Sequence, residues 1–354
     1  MEKSYHAGIV GLGFIGAGDQ VSGDALGQQV KDLDGTHLGA FVRNPHVRIT
    51  CGSSRDEGRR TRFLSRVHNE VHVYTDWMEL VNSSKLDIIS IATYTPTHAE
   101  MVIASAEAGI PVIYCEKPIA ATIAEAERML NACRTSGSLL VINHNRRFKP
   151  NFRLLQTMIA RGDLGELTSV TARWPSGRLG NIGTHVIDAI HMITGLKTVA
   201  VSGTLDQSLK PDCRGSAFQD PGGWGLIRLE RECMVTVDAA DYAKGPMVID
   251  VYGTLGTASI SGKMITISYF SGKTKQLPEP SSDQSSMDIA VGEMIEWLDA
   301  RQDSKKTPVF PYDPADAVHT LETIAAFHAS DARKGAWVKL PLTKTDRDTI
   351  IRSG

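Results

Sequence analysis

Two opposite charges stand where an apolar run of the chain ends. The run 111–114 predicts a buried strand, and Glu116 and Lys117 lie at its carboxyl end with Pro118 behind them. A cation placed there can stabilise negative charge that develops on an oxygen atom. Because open α/β sheets bind ligands beyond the carboxyl ends of their strands, Lys117 is a candidate for chemistry. A surface turn with a solvated lysine is the alternative.

Glycines at GxGxxG spacing follow the first predicted strand, residues 5–10. Gly11 would permit a tight turn, Gly13 would let the backbone approach a pyrophosphate, and Gly16 would let helix and strand pack closely. The helix that follows would offer backbone N–H groups to phosphate. Placed directly after a strand, this spacing predicts a dinucleotide-binding turn.

The end of the second predicted strand, 46–52, bears on which dinucleotide is preferred. A carboxylate at that position binds the ribose 2′-OH of NAD. Here the residues are Ser53, Ser54 and Arg55, with Arg59 close behind. Hydroxyls and a guanidinium suit a phosphate, so we predict that NADP(H) is preferred, with NAD(H) left open.

Residues 18–35 separate the glycine turn from the next predicted helix and delay the second strand beyond its usual position. The segment is read as an insertion. A plain surface loop and a cover over the cofactor or the substrate are both consistent with it, since long loops in compact domains are often functional.

A second polar group can be placed on one predicted helix, 181–193. On a helical wheel the apolar side holds Val186, Ile187, Ile190 and Ile193, and the polar side holds Asn181, His185, Asp188 and His191. The pattern predicts a helix that packs on the core and lines a cleft, and a solvated polar face is the alternative. We predict no metal site, because one helix supplies few ligands in tetrahedral geometry.

Strands and helices alternate through the first half of the chain and then give way to short strands. After the strand 46–52, further strands are predicted at 71–76, 86–93 and 138–145, separated by helices. This alternation predicts a parallel, doubly wound sheet whose strand ends share one crevice. The second half has alternating strands joined by short turns, which predicts antiparallel pairing.

Composition excludes several classes of protein. The net charge of −2 gives no reason to expect binding to nucleic acid or a membrane surface. The five cysteines are scattered and lack CxxC spacing, which fits a reducing compartment. No apolar run reaches transmembrane length, and no signal-type apolar segment precedes the first strand. We therefore expect a cytoplasmic protein.

Five stretches of the sequence resemble the glucose–fructose oxidoreductase / inositol dehydrogenase (Gfo/Idh/MocA) family. They are GLGFIG at 11–16, ATYTPTH at 92–98, CEKPIA at 115–120, NHNRRFKP at 143–150 and GNIGTHVIDAIHMITG at 180–195. The resemblance implies an NAD(P)-dependent enzyme of sugars or cyclitols. It also implies a Rossmann-like α/β NAD(P)-binding domain, assigned to 1–146. An α+β domain with an open, mostly antiparallel sheet, assigned to 147–354, would bind substrate and form a homodimer or homotetramer.

The resemblance also implies two catalytic residues. Lys117 would contact the nicotinamide ribose and the reacting oxygen, and His185 would be the acid/base. The residues predicted to contact the cofactor are Gly11, Gly13, Phe14, Ile15, Gly16, Ser53, Ser54, Arg55, Thr93, Thr95, Pro96, His98, Glu116, Lys117 and Arg146. Those predicted to contact the substrate are Lys117, Arg147, Trp174, Asn181, Asp188 and His185, with Arg178, Trp224, Tyr242 and Lys244 as further candidates.

One position departs from the family pattern, which has an aspartate four residues before the catalytic histidine. Here that residue is Asn181. An amide can orient the imidazole of His185 but carries no charge to raise its pKa. The departure shifts more of the expected proton transfer to Lys117.

Three functions remain open from the sequence. The first is an NAD(P)-dependent oxidoreductase, NADP-preferring, acting on a secondary alcohol or ketone of a sugar, cyclitol or glycoside. The second is a redox glycosidase of the same family, which would release a leaving group without net cofactor turnover. The third is a non-catalytic cofactor-binding regulator, against which Lys117 and His185 both argue.

Overall fold

The computed structural model divides the chain into two compact units. The structure describes residues 3–175, 177–206, 208, 215, 218–240, 245–303 and 305–353. The first unit comprises 1–120, 125–143 and 283–315, and the second comprises 121–124, 144–282 and 316–354. The sequence suggested a single boundary at 146/147, whereas residues 283–315 pack with the first unit.

The first unit contains a six-stranded parallel sheet in the order β3-β2-β1-β4-β5-β6. Its strands are β1 Tyr5–Val10, β2 Val47–Ser53, β3 His72–Tyr74, β4 Ile88–Ile91, β5 Val112–Cys115 and β6 Leu139–Ile142. Strand order reverses between β1 and β4, which is where sheets of this type bind dinucleotides. The predicted doubly wound α/β fold is confirmed. Every residue of β4, β5 and β6 is buried, as expected for parallel strands covered on both faces.

Eight helices accompany this sheet among the described residues. They are α1 Phe14–Ala17, α2 Gln20–Ala25, α3 His37–Arg43, α4 Glu57–Leu64, α5 Trp77–Ser83, α6 His98–Glu107, α7 Ile123–Ser136 and α10 Ser286–Gln302. The glycine turn is followed by only one helical turn, because α1 ends at Gly18 in the left-handed region. The predicted loop 18–35 contains α2, which Asp19 caps by accepting the Ser22 N–H.

The return of α10 to the first unit has a local cause. Ser285 and Asp288 form a capping box at its start, each side chain accepting from the other residue's backbone N–H. The Asp288 carboxylate also accepts two hydrogen bonds of 2.9 Å from Arg43, the last residue of α3. The sequence predicts an amphipathic helix here but not the element that it packs against. Nothing in the sequence around Arg43 or Asp288 marks either residue as the partner of the other.

The second unit contains a nine-stranded sheet in the order β14-β13-β12-β11-β7-β10-β9-β8-β15. Its strands are β7 Leu167–Arg173, β8 Thr198–Leu205, β9 Gly223–Leu229, β10 Met234–Ala239, β11 Val248–Gly253, β12 Gly256–Ser261, β13 Met264–Tyr269, β14 Thr274–Pro278 and β15 Val338–Lys339. Neighbouring strands pair antiparallel except β7 and β10, which are parallel. The predicted open, mostly antiparallel sheet is confirmed.

Four helices belong mainly to this second unit: α8 Pro150–Ala160, α9 Thr184–Thr194, α11 Ala315–Ala332 and α12 Lys344–Arg347. The segment Leu179–Gly183, a wide π-helical turn, leads directly into α9. In the part of the chain that is described, no helix has the length and apolarity needed to cross a membrane.

Candidate active site

The glycine turn after β1 has the shape that a pyrophosphate requires. Gly11 has φ +94°, and a Cβ on it would lie 2.5 Å from the carbonyl oxygen of Ala92. A Cβ on Gly16 would overlap the carbonyl oxygen of Gly11. A Cβ on Gly13 would make only ordinary contact, with Arg59 Nη1 at 3.7 Å, and the Gly13 carbonyl oxygen accepts the Ala17 N–H at 2.9 Å. The turn therefore fits a dinucleotide.

The other predicted cofactor residues near this turn differ in exposure. The ring of Phe14 is buried, and a Cβ on Gly23 of α2 would lie 2.6 Å from it, so Phe14 joins α1 to α2. Ile15 is half-buried. After β4, Thr95 is buried, and Thr93 accepts a 2.7 Å hydrogen bond from Thr97. Thr93 and the exposed Pro96 remain accessible to a ligand.

The end of β2 contains no carboxylate, as predicted. Ser53 is buried, and its carbonyl oxygen accepts the Gly11 N–H at 3.0 Å. Ser54 is half-buried, with its hydroxyl accepting the Asp56 N–H at 3.2 Å. Asp56 itself caps α4 by accepting the Arg59 N–H at 2.7 Å. The end of β2 therefore lies beside the glycine turn through the backbone of Ser53.

The carboxylate of Glu116 lies inside the first unit. It accepts hydrogen bonds from Asn143 at 2.6 Å and from the Lys117 backbone at 3.3 Å, and His37 Nε2 lies 3.0 Å away. Burial acts to raise the pKa of Glu116, but His37, Lys117 and Asn143 lower it to about 2. Glu116 was predicted to contact the cofactor, but three protein groups already bind its carboxylate. Its contacts support the turn that contains Lys117.

A wider network holds Glu116 in place. The other ring nitrogen of His37 lies 2.8 Å from the Ser90 hydroxyl, and Tyr114 donates to Asn143 at 2.7 Å. All four residues are buried. His37 could not be singled out from the sequence, because its partners lie 53 and 79 residues away along the chain.

His98 was predicted to contact the cofactor and is instead buried. Its ring nitrogens lie 2.9 Å from the carbonyl oxygen of Pro118 and 3.2 Å from that of Thr93. Burial lowers the pKa of His98 despite these acceptors. Its position ties the start of α6 to the Lys117–Pro118 turn.

In the second unit, His185 is the second residue of α9 and is half-buried. The turn before it is held by Asp220, whose carboxylate accepts the backbone N–H groups of Gly180 and Asn181 at 2.7 Å each. Burial raises the pKa of Asp220. This acidic residue was not found from the sequence, since it lies 39 residues beyond Asn181.

Arg147 and Asp188 were predicted to contact substrate, and the structure pairs them with each other. Arg147 donates from Nε at 2.8 Å and from Nη2 at 2.7 Å to the Asp188 carboxylate, and from Nη1 to Asp316 at 3.1 Å. Burial acts to raise the pKa of Asp188, but His144 and Arg147 hold it well below its usual range. Both side chains are buried, so their first role is structural.

His144 is a further residue near His185 that the sequence did not single out. Its Nδ1 lies 3.1 Å from Asp188, and its Nε2 lies 3.0 Å from the hydroxyl of Thr184. The rings of His144 and His185 meet edge to face with centroids 6.0 Å apart. The His144 ring therefore contacts both the Asp188 carboxylate and the ring of His185.

Two residues of the predicted polar face of the helix 181–193 are paired inside the protein. Asp188 is buried, and so is His191, which lies 2.8 Å from the hydroxyl of Thr198. Burial lowers the pKa of His191 to about 3. The polar side of a helical wheel shows that these side chains need hydrogen-bond partners, and here other buried groups are those partners.

The remaining candidates are scattered. Trp174 is completely buried and donates its indole N–H to the Gly177 carbonyl oxygen at 2.7 Å, so it belongs to the core. Arg146 is half-buried with Nη2 3.3 Å from the Met247 sulfur. Arg178, in the left-handed region, precedes the turn 179–183, and Trp224 is half-buried on β9. Arg55 is exposed. Tyr242 and Lys244 lie outside the described residues.

The described part of the chain holds no group of three or more His, Cys, Asp or Glu residues that could bind a metal ion.

Comparison with known proteins identifies the class that this fold and these strand ends define, an NAD(P)-binding oxidoreductase. A family model for an oxidoreductase family with an NAD-binding Rossmann fold matches residues 5–144. A model for the GFO/IDH/MocA C-terminal domain matches residues 152–259. The chain belongs to the Gfo/Idh/MocA family of NAD(P)-binding oxidoreductases.

Several relatives are dehydrogenases by name. Inositol 2-dehydrogenase 1 of Saccharopolyspora erythraea is 27% identical over 275 residues, 73% of this chain and 75% of that protein. The scyllo-inositol 2-dehydrogenase (NADP(+)) of Bacillus subtilis is 27% identical over 165 residues, 42% of this chain and 46% of that protein. An inositol dehydrogenase homologue of Azotobacter vinelandii, solved with NADH and myo-inositol, has the same fold. Its TM-score is 0.77 at 17% identity, covering 96% of this chain and 98% of that chain.

Proposed function

We propose that this protein catalyses reversible oxidation of a secondary alcohol of a sugar, cyclitol or glycoside, with NADP(H) as the preferred cofactor. The observation that carries the proposal is Lys117 at the carboxyl end of β5, beside an ionised and buried Glu116. A cation fixed at a strand end of a dinucleotide-binding sheet suits a reacting oxygen. Relatives named as inositol dehydrogenases support a polyol substrate.

The glycine turn 11–16 and the hydroxyls of Ser53, Ser54 and Thr93 would hold the cofactor, which supplies or accepts hydride when bound. Lys117 then stabilises the charge that develops on the substrate oxygen as its carbon is oxidised. His185 accepts the hydroxyl proton, because an imidazole can do so at neutral pH. Asn181 adds no negative charge near His185, so Lys117 takes a larger part in the proton transfer.

The preference for NADP(H) rests on the absence of a carboxylate at the end of β2. Ser54 and Ser53 provide hydroxyls there, and Arg59 and Arg60 of α4 provide positive charge nearby. A 2′-phosphate needs such donors, whereas a ribose 2′-OH is held best by an acidic residue.

The experiment that tests the function screens polyols, sugars and glycosides with NADP+ and NAD+, following reduced nicotinamide by absorbance. We expect oxidation of at least one cyclitol or sugar. Lys117→Ala should reduce kcat at least about 100-fold while cofactor affinity changes less than about tenfold, because the lysine acts at the reacting oxygen. His185→Asn should lower kcat/KM by about 10² to 10⁴.

The proposal fails if Lys117→Ala keeps wild-type activity on that substrate. Release of an aglycone without net change in nicotinamide absorbance would instead identify a redox glycosidase. Cofactor binding with no turnover of any compound would favour a regulator.

Two further expectations concern the setting of the enzyme. We propose a homodimer or homotetramer, which light scattering coupled to size exclusion measures directly. We also propose a reducing, cytoplasmic setting, consistent with Cys51, Cys115, Cys133 and Cys233, which are all buried free thiols.

A further inference from the structure

The insertion after the glycine turn forms a hydrogen-bonded network with α4. Asp19, completely buried, accepts from Nε and Nη2 of Arg62 at 2.6 and 2.9 Å, and Arg66 lies 3.5 Å away. Burial acts to raise the pKa of Asp19, but the hydrogen bonds of Arg62 and Ser22 hold it below its usual range. We call Asp19, Ser22, Arg59, Arg62 and Arg66 the α2–α4 network.

Ser22 connects this network to a third arginine. Its hydroxyl donates to the Asp19 carboxylate at 2.5 Å and accepts from Nε of Arg59 at 3.0 Å. Because the Ser22 hydroxyl donates its hydrogen to the Asp19 carboxylate, its oxygen lone pairs face away from that carboxylate and can accept from Arg59. The position of Arg59 is therefore set by a residue of the insertion and not only by its own helix.

The outer end of Arg59 is directed to the glycine turn. Its Nη1 lies 3.7 Å from where a Cβ of Gly13 would be. Across the described ranges, no side chain or carbonyl oxygen accepts a hydrogen bond from Nη1 or Nη2 of Arg59. Because Arg59 belongs to the helix that follows β2, these nitrogens retain their donors for a phosphate between the glycine turn and the end of β2.

The charges of the network favour a highly charged anion. Three guanidinium groups, from Arg59, Arg62 and Arg66, oppose the carboxylate of Asp19, and Asp56 at the start of α4 adds a second negative charge. Arg62 and Arg66 neutralise Asp19, so Arg59 is left to act on a ligand. By contrast, Arg55 is exposed at the start of the β2–α4 connection, where ordering its side chain costs entropy.

We propose that the insertion containing α2 is a positioning device for cofactor selection, in which Asp19 and Ser22 hold Arg59 to bind the 2′-phosphate of NADP(H). Arg59 is then the specificity-determining arginine, and Arg55 is not. The inference rests on the proposed preference for NADP(H). A guanidinium held in advance loses little freedom on binding and can form two parallel hydrogen bonds to a phosphate.

The test measures dissociation constants for NADP+ and NAD+ by calorimetry on the full chain, so it needs no substrate. Arg59→Gln should weaken NADP+ binding on the order of 10- to 100-fold and NAD+ binding less than about threefold, because only the phosphate contact is lost. Ser22→Ala should weaken NADP+ binding by a smaller factor, about 3- to 10-fold, with NAD+ unchanged. Arg55→Gln tests the other candidate arginine and should change neither constant by more than about threefold, and Arg48→Gln, at an exposed position of β2, is the matched control.

A purely structural role for the network would weaken both cofactors together and lower the thermal midpoint, and that result overturns the proposal. Arg59→Lys keeps the charge without the planar fork and should retain only part of the preference.

If Ser22→Ala leaves the preference intact while Arg59→Gln removes it, positioning by the insertion is wrong. If wild type prefers NADP+ and Arg59→Gln still does, only this inference fails. Equal wild-type affinity for both cofactors overturns it together with the proposed preference.

Discussion

At the scale of single residues, Glu116 shows how a buried charge can serve a neighbour. Its carboxylate is ionised in an apolar interior because His37 and Asn143 replace the water that it loses. The Lys117 charge contributes to the same lowering of its pKa, so the two groups favour each other's ionised forms.

This pair predicts how stability depends on pH. The folded-state pKa of Glu116 is about 2, below its ordinary 4.5, so its contribution is complete above about pH 4.5 and is lost as pH falls toward 2. Glu116→Gln should therefore destabilise the protein by up to about 3 kcal/mol at pH 7 and by progressively less below pH 4.5. Urea unfolding at several pH values measures this difference. Glu79→Gln, at an exposed position of α5, is the control.

A difference between wild type and Glu116→Gln that stays constant from pH 7 to pH 3 would contradict the assignment of an ionised carboxylate.

Ser54 gives a residue-scale test of cofactor preference. An aspartate there can still accept the Asp56 N–H, as the serine hydroxyl does, so the local turn is kept. We expect Ser54→Asp to weaken NADP+ binding at least about tenfold, by repulsion of the phosphate, and to strengthen NAD+ binding. Calorimetry measures both. Ser54→Asn has the same shape without charge and should shift the ratio far less.

Gly52 is unsuitable for that exchange, although it lies at the end of the predicted strand. A Cβ on it would lie 2.7 Å from the ring of Phe63, so any side chain there disturbs the core. Unchanged cofactor preference in Ser54→Asp would show that the end of β2 does not select the cofactor.

At the scale of elements, the sequence predicted those features that repeat along the chain. Alternating strands and helices, the glycine turn and the strand ends are local patterns, and the structure contains each of them. The network around Glu116 and the anchoring of the turn 179–183 by Asp220 could not be predicted. Both depend on contacts between residues that are distant in sequence, and the spacing of residues along the chain does not predict such contacts.

The start of α10 provides an element-scale prediction. Asp288→Ala removes one side of the capping box and the acceptor of Arg43, and should lower the free energy of unfolding by about 2 kcal/mol. Arg43→Ala removes only the half-exposed partner and should cost less than about 1 kcal/mol. Urea unfolding of the two variants measures both values. Equal losses would mean that the cap contributes nothing.

At the scale of the whole molecule, the first unit is discontinuous along the chain. Its α10 contributes buried side chains, among them Val291, Met294 and Leu298. A fragment 1–146 lacks this helix, so we expect it to show no cooperative unfolding transition and no measurable NADP+ binding. Joining 283–315 to that fragment through a flexible linker should restore both. Circular dichroism and calorimetry report the result, and a fragment 1–146 that binds NADP+ like the full chain would contradict it.

This discontinuity has a consequence for synthesis on the ribosome. The segment 283–315 emerges only after residues 144–282 have been translated, an interval of roughly 7 to 30 seconds at ordinary elongation rates. During that time the nascent first unit has a complete sheet but an uncovered apolar surface where α10 later packs. Translation speed and chaperone supply should therefore govern the yield of active protein more strongly than they would for an enzyme whose nucleotide-binding unit is finished before the rest begins.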